Sequence, residues 1–175
     1  MPVITQDFEP KACGYSLEAI SLCAEQVATK LEYLPGGDLS EVVAKLGGKI
    51  RLLPASESST PSRLEVNDDQ SFTISIPSAW HPLWQRYAIA HELGHYILHA
   101  LVGRIKIKAH FSQLPEDQQE LVEVEAHEFA CSFLVDKKTL SRFTQGTSKK
   151  DKLAISAYFS VPSSVIEYRL NALHE

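Results

Sequence analysis

Apolar residues recur at helical spacing over 15–34, "YSLEAISLCAEQVATKLEYL", and "PGG" at 35–37 ends the run. A second helical stretch follows in "DLSEVVAKLGG" (38–48). Asp38 can cap it, Glu41 stands three residues on as in a capping box, and Gly47 stops it. The period then changes. "KIRLLP" (49–54) reads as a strand, and so does the alternating, β-branched "SFTISIP" (71–77). The intervening 55–70 is loop-rich, with a short strand expected around "RLEV". From residue 81 the pattern is helical. The segment 81–101 opens on Pro82 and is apolar around much of its circumference, which predicts a buried helix. Another helix opens at Pro115 with an acidic first turn and runs through 114–136, and shorter ones follow over 137–143, 150–159 and 163–173. The fold class expected is α+β. A small N-terminal-side sheet packs on the helix 81–101, and a mainly helical C-terminal half closes in a helix-turn-helix-like pair. One domain is expected over 1–175, with an N-terminal helix in 1–37, a core in 38–136 and the helical segment in 137–175.

Composition narrows the setting. The 175 residues suffice for one real core, and 44% hydrophobic with 22% charged is ordinary for a globular chain. A net charge of −5 gives no global reason to expect nucleic acid. The opening "MPVITQDFEP" lacks the basic-then-apolar pattern of a secretory signal, and no apolar run reaches the ~18 residues of a membrane span, so no membrane partner is expected. Cys13, Cys23 and Cys131 are odd in number and form no CxxC pair, which suits small buried thiols in a reducing, cytoplasmic setting.

Chemistry concentrates in "AIAHELGHYILHA" (88–100). Residues four apart on a helix lie one turn up and nearly on one face, so His91 and His95 can aim both rings at one ion. Glu92 is turned about 100° from His91, out of reach as a ligand but able to serve as a general base beside it. This is the HExxH arrangement of zinc hydrolases. A buried helix also gives such polar groups a need for a partner. His99 lies about 12 Å along the axis from His91, too far for a third ligand on a straight helix, and is expected to support or pack against the site. No glycine stands at position 98, which excludes the pattern in which a broken helix supplies the third histidine.

A third ligand must come from elsewhere, and "ELVEVEAHEFACSF" offers Glu123, Glu125 and His127. Val122, Ala126, Phe129, Ala130 and Phe133 mark the apolar stripe of that helix. Glu123 lies about 65° from its centre and Glu125 about 95° on the other side, which ranks Glu123 first, His127 second and Glu125 third. Glu128 reads as a solvated flank charge. The donor set suits Zn²⁺, and Mn²⁺, Fe²⁺ or Co²⁺ would fit the same residue types.

At these residues the chain resembles the ImmA/IrrE family of zinc metallopeptidases. The matching words are "QRYAIAHELGHYILH" (85–99), "EVEAHEFACSFLVD" (123–136) and "LAISAYFSVPSSVIEYRL" (153–170). The resemblance implies a gluzincin-like site with His91, His95 and Glu123 on the metal and Glu92 as base. It also implies the family's usual role, cleavage of a helix-turn-helix repressor to switch on stress or mobile-element genes. Two departures stand out. His127 occupies a position where the family often has Asn or Asp, and "LVD" replaces a frequent Met-Pro pair.

Under this reading Glu92 moves a proton from water to the leaving amine, and Tyr87, Tyr96, Arg86 and His110 are candidates to steady the oxyanion. The segment 71–77 could present an exposed edge to an extended peptide or form an inner strand. Two rival readings come from other classes. In the first, the pair of helices in "DKLAISAYFSVPSSVIEYRLNAL" binds DNA, aided by "SKKDK" (148–152), and the metal is structural. Its second helix carries Arg169 as the sole basic residue with Glu167 nearby, which argues against direct nucleic-acid binding. In the second, an inactive pseudo-protease sequesters its partner, although the HExxH residues are intact.

Overall fold

The computed structural model describes residues 11–57, 59–101, 116–144 and 151–173. Helix α1 (Leu17–Lys30) starts where the Ser16 hydroxyl accepts from the Ala19 amide. Helix α2 (Leu39–Lys45) starts where the Asp38 carboxylate accepts from the Ser40 amide. Both caps satisfy a backbone donor that the helix itself leaves open.

Three strands follow: β1 (Gly48–Leu53), β2 (Arg63–Val66) and β3 (Phe72–Pro77). They form one sheet in the order β1-β3-β2, with β1 parallel and β2 antiparallel to β3. The β3 segment had two readings in the sequence, edge or inner strand, and the structure makes it the inner one. Phe72, Ile74, Ser75 and Ile76 are all buried there, so both faces are covered. The described edges are β1 and β2.

Helix α3 (Pro82–Gly94) begins with Pro82 behind the His81 cap and runs under the sheet. From His95 to Leu101 the chain keeps winding, but as a π-helix. The wider i→i+5 winding is the departure from the single helix expected over 81–101. Helix α4 (Glu116–Leu134) is the central strut and packs against α1, α3 and the last helix. Phe129, Phe133, Ile20, Leu93 and Leu134 fill the space between them, and each such burial contributes about 1.5–3 kcal/mol.

Helices α5 (Lys137–Thr144), α6 (Lys152–Phe159) and α7 (Ser163–Asn171) complete the helical half. The α6–α7 pair has the helix-turn-helix outline expected. Its Arg169 is turned inward and 5% exposed. The guanidinium donates to the Val135 carbonyl at 2.9 Å, to Ser132 Oγ at 2.7 Å and to Glu25 Oε1 at 3.0 Å. Among the described residues, no helix is long and apolar enough to cross a membrane.

Candidate metal centre

The site is assembled at the crossing of α3 and α4. Gly94 makes that crossing close: a Cβ there would meet Ala126 Cα and the Ala126 carbonyl oxygen at 3.1 Å each. Gly94 precedes His95, and Ala126 follows Glu123 by three residues. The small pair therefore draws the two histidine-bearing turns up to the Glu123 carboxylate.

Three side chains converge as a result. His91 Nε2 lies 3.0 Å from Glu123 Oε2 and 3.1 Å from His95 Nε2, and His95 Nε2 lies 3.3 Å from Glu123 Oε1. With metal–ligand bonds of about 2.0–2.1 Å, tetrahedral geometry sets ligand atoms about 3.3 Å apart. Two imidazole nitrogens and a carboxylate oxygen at this spacing could hold a divalent ion. Burial depresses the His95 pKa to about 3, so the ring is neutral, which is its ligating form. For Glu123, burial acts upward, but the contacts with His91 and His95 outweigh it and hold the carboxyl well below its usual range. The Glu123 side chain is 44% exposed, so the cluster opens to solvent on that side.

Glu92 is buried beside the cluster at 4% exposure. Burial raises its pKa, opposed by His91 and by the Ser62 hydroxyl, which donates to Oε1 at 2.7 Å. Ser62 immediately precedes β2, and sequence reasoning had passed it over. A lone serine in a loop-rich stretch carries no signal of its own.

The other candidates separate cleanly. His127 is not in the three-residue cluster: its Nδ1 lies 2.6 Å from the Tyr87 hydroxyl, and its ring meets Tyr168 edge-on. Glu125 is also outside the cluster. Its carboxylate accepts from the Cys13 and Gly14 amides at 2.8 and 2.9 Å and contacts His99 Nε2 at 2.8 Å. Burial acts to raise the Glu125 pKa, but these hydrogen bonds win and lower it. Glu128 corrects the expectation of a solvated charge. It is 4% exposed, accepts from Ser132 and Tyr168 at 2.7 and 2.6 Å, and stands 3.6 Å from Arg169.

Of the possible oxyanion donors, Arg86 is committed to the Ser160 and Gly37 carbonyls and the Tyr33 hydroxyl. Tyr96 donates to the Gln70 carbonyl at 3.0 Å and stacks on Phe72. Tyr87 sits beside the cluster, its ring centroid 5.8 Å from that of His91. His110 lies outside the described residues.

A family model for the IrrE N-terminal-like domain, Peptidase M78, matches residues 44–171. The chain belongs to this family. Metallopeptidase ImmA of Bacillus subtilis (strain 168) is 37% identical over 92 residues, which is 51% of this chain and 50% of that protein. A Mycobacterium tuberculosis transcriptional regulator shares the fold with a TM-score of 0.59 at 19% identity, over 90% of this chain and 48% of its own. The chain thus spans about half the length of the relatives it matches. Membership of a metallopeptidase family implies a metal ion, and His91, His95 and Glu123 could hold one.

Proposed function

We propose that this chain is a zinc-dependent endopeptidase of narrow specificity, with His91, His95 and Glu123 as the metal ligands and Glu92 as the general base. The observation that carries this reading is the convergence of the three ligating side chains within 3.0–3.3 Å, beside a buried carboxylate. A divalent cation bound there supplies Lewis acidity and lowers the pKa of water toward neutrality.

The chain's own groups do the rest. Glu92 takes a proton from the attacking water and returns it to the leaving amine. Ser62, donating to Oε1, fixes which carboxylate oxygen faces the reaction. Among the described candidates Tyr87 packs beside His91, and His127 orients its hydroxyl. Among the described residues β2, next to Ser62, is an edge strand to which an extended peptide would add, whereas β3 is the inner strand.

The substrate we propose is a helix-turn-helix transcriptional repressor, whose cleavage would switch on stress or mobile-element genes in the cytoplasm. This rests on family membership and on the family's usual role. The DNA-binding alternative loses its one basic residue on α7, since Arg169 is buried in internal ion pairs.

The test incubates the zinc-loaded chain and Glu92→Gln with a helix-turn-helix repressor encoded beside it, reading fragments by mass spectrometry. The reading requires fragments from wild type alone. Equal cleavage by both overturns the role of Glu92, and tight binding without cleavage favours the sequestering pseudo-protease.

A further inference from the structure

Behind the candidate metal ligands lies a second set of contacts that the proposed reaction does not use. His95 turns Nε2 to the cluster and leaves Nδ1 facing inward, 3.1 Å from His99 Nδ1. On the far side of the His99 ring, Nε2 meets Glu125 Oε2 at 2.8 Å. Glu125 is then fixed by the N-terminal segment, its two oxygens taking the amides of Cys13 and Gly14. His99 is 1% exposed and Glu125 5% exposed, so water does not compete freely for these bonds.

With a cation held by His95 Nε2 and both rings neutral, proton placement along this line has one consistent solution. Glu125, an ionised carboxylate, can only accept, so His99 must carry its proton on Nε2. His99 Nδ1 is then a lone pair, and the contact with His95 is a hydrogen bond only if His95 carries its proton on Nδ1. That leaves His95 Nε2 as a lone pair aimed at the cluster, which is what a ligand needs. Both rings belong to the π-helical segment from His95 to Leu101.

We propose that His99 and Glu125 are positioning residues for His95, fixing its tautomer and ring orientation, with the Cys13–Gly14 backbone anchoring Glu125. Histidine ligands are generally held by such partners, and losing one costs about 10–100-fold in metal affinity. Gly14 has φ +72°, a conformation that glycine adopts without strain and that turns two successive amides onto one carboxylate. The N-terminal segment thereby becomes part of the metal site's support although it contributes no ligand.

The proposal rests on His95 being a ligand, so the test separates the two ideas. Long-range ¹H–¹⁵N NMR on the Zn²⁺-loaded full chain reads the tautomers directly. The expected result is Nδ1–H on His95 and Nε2–H on His99, and the opposite tautomer at either ring overturns the relay. Zn²⁺ competition against a chromophoric chelator then compares wild type, His99→Phe, Glu125→Gln and Glu128→Gln, the last being an equally buried carboxylate outside the relay. Affinity should fall about 10–100-fold in the first two variants and stay near wild type in Glu128→Gln. The Co²⁺ absorption spectrum should change in the first two alone. Folded His99→Phe and Glu125→Gln chains binding within about threefold of wild type would overturn the proposal. Failure of wild type itself to bind Zn²⁺ would instead overturn the metal reading. If a variant does not fold, the tautomer measurement on wild type still decides.

Discussion

Gly94→Ala probes the helix crossing on which the candidate site depends. The added Cβ would stand 3.1 Å from Ala126 Cα, 3.1 Å from the Ala126 carbonyl oxygen and 3.2 Å from Phe129 Cβ. Two of these neighbours are backbone atoms, which cannot rotate away, so α3 and α4 must part by about 0.3 Å to reach ordinary contact. Overpacking of this kind costs about 1–3 kcal/mol, and replacing a mid-helix glycine returns up to about 1 kcal/mol in helix propensity. Net destabilisation should therefore be about 0–2 kcal/mol, a Tm loss of no more than about 8 °C at this chain length. Metal binding at the proposed ligands should be more sensitive than the fold. Ligand distances tolerate only about ±0.2 Å, and the parting moves Glu123 away from both histidines. Binding must then restore the crossing against the clash, a coupling of about 1–2 kcal/mol, or roughly 5–30-fold in affinity. Zn²⁺ competition alongside thermal unfolding tests both parts. A variant that folds, binds Zn²⁺ with wild-type affinity and keeps its Tm would refute the argument that Gly94 sets the ligand spacing.

Two further outcomes follow from groups away from the cluster. Arg169→Met leaves the buried Glu128 carboxylate without its counter-charge and should destabilise the fold by about 3–5 kcal/mol in thermal unfolding, whereas a change below about 1 kcal/mol would mean that the Arg169 network is dispensable. The Cys131 thiol is pushed up to about 12, chiefly by burial and secondarily by Glu128. Thiolate being the reactive form, labelling of folded Cys131 at pH 8 should run about a thousandfold slower than in the denatured chain, and equal rates would contradict this placement.

Most of the architecture was legible because periodicity and punctuation agreed. Ser16, Asp38 and Pro82 start helices where the pattern changes, and the three strands fall where alternation or β-branching appears. The HExxH spacing likewise marked His91 and His95 as neighbours on one face, with Glu92 turned to their side. Helix α4 was harder. A single apolar stripe was assumed there, yet α4 is covered by α1, α3 and α7 together. Glu125 and Glu128, off that stripe, are therefore buried rather than solvated. Their partners, the Cys13–Gly14 amides and the Tyr168–Arg169 pair, lie far away in sequence, so no local pattern could announce them. The π-helical winding after Gly94 was equally silent, since residues 95–101 hold no glycine or proline to mark it.

If His91, His95 and Glu123 together hold one catalytic metal ion, the metal content of the chain depends on Glu123 and not on His127. Elemental analysis would compare wild type, Glu123→Ala and His127→Ala after loading with Zn²⁺ and removal of free metal. Close to one Zn²⁺ per chain is expected in wild type and His127→Ala, and little in Glu123→Ala. Wild type without metal, or Glu123→Ala loading as fully as wild type, would contradict it.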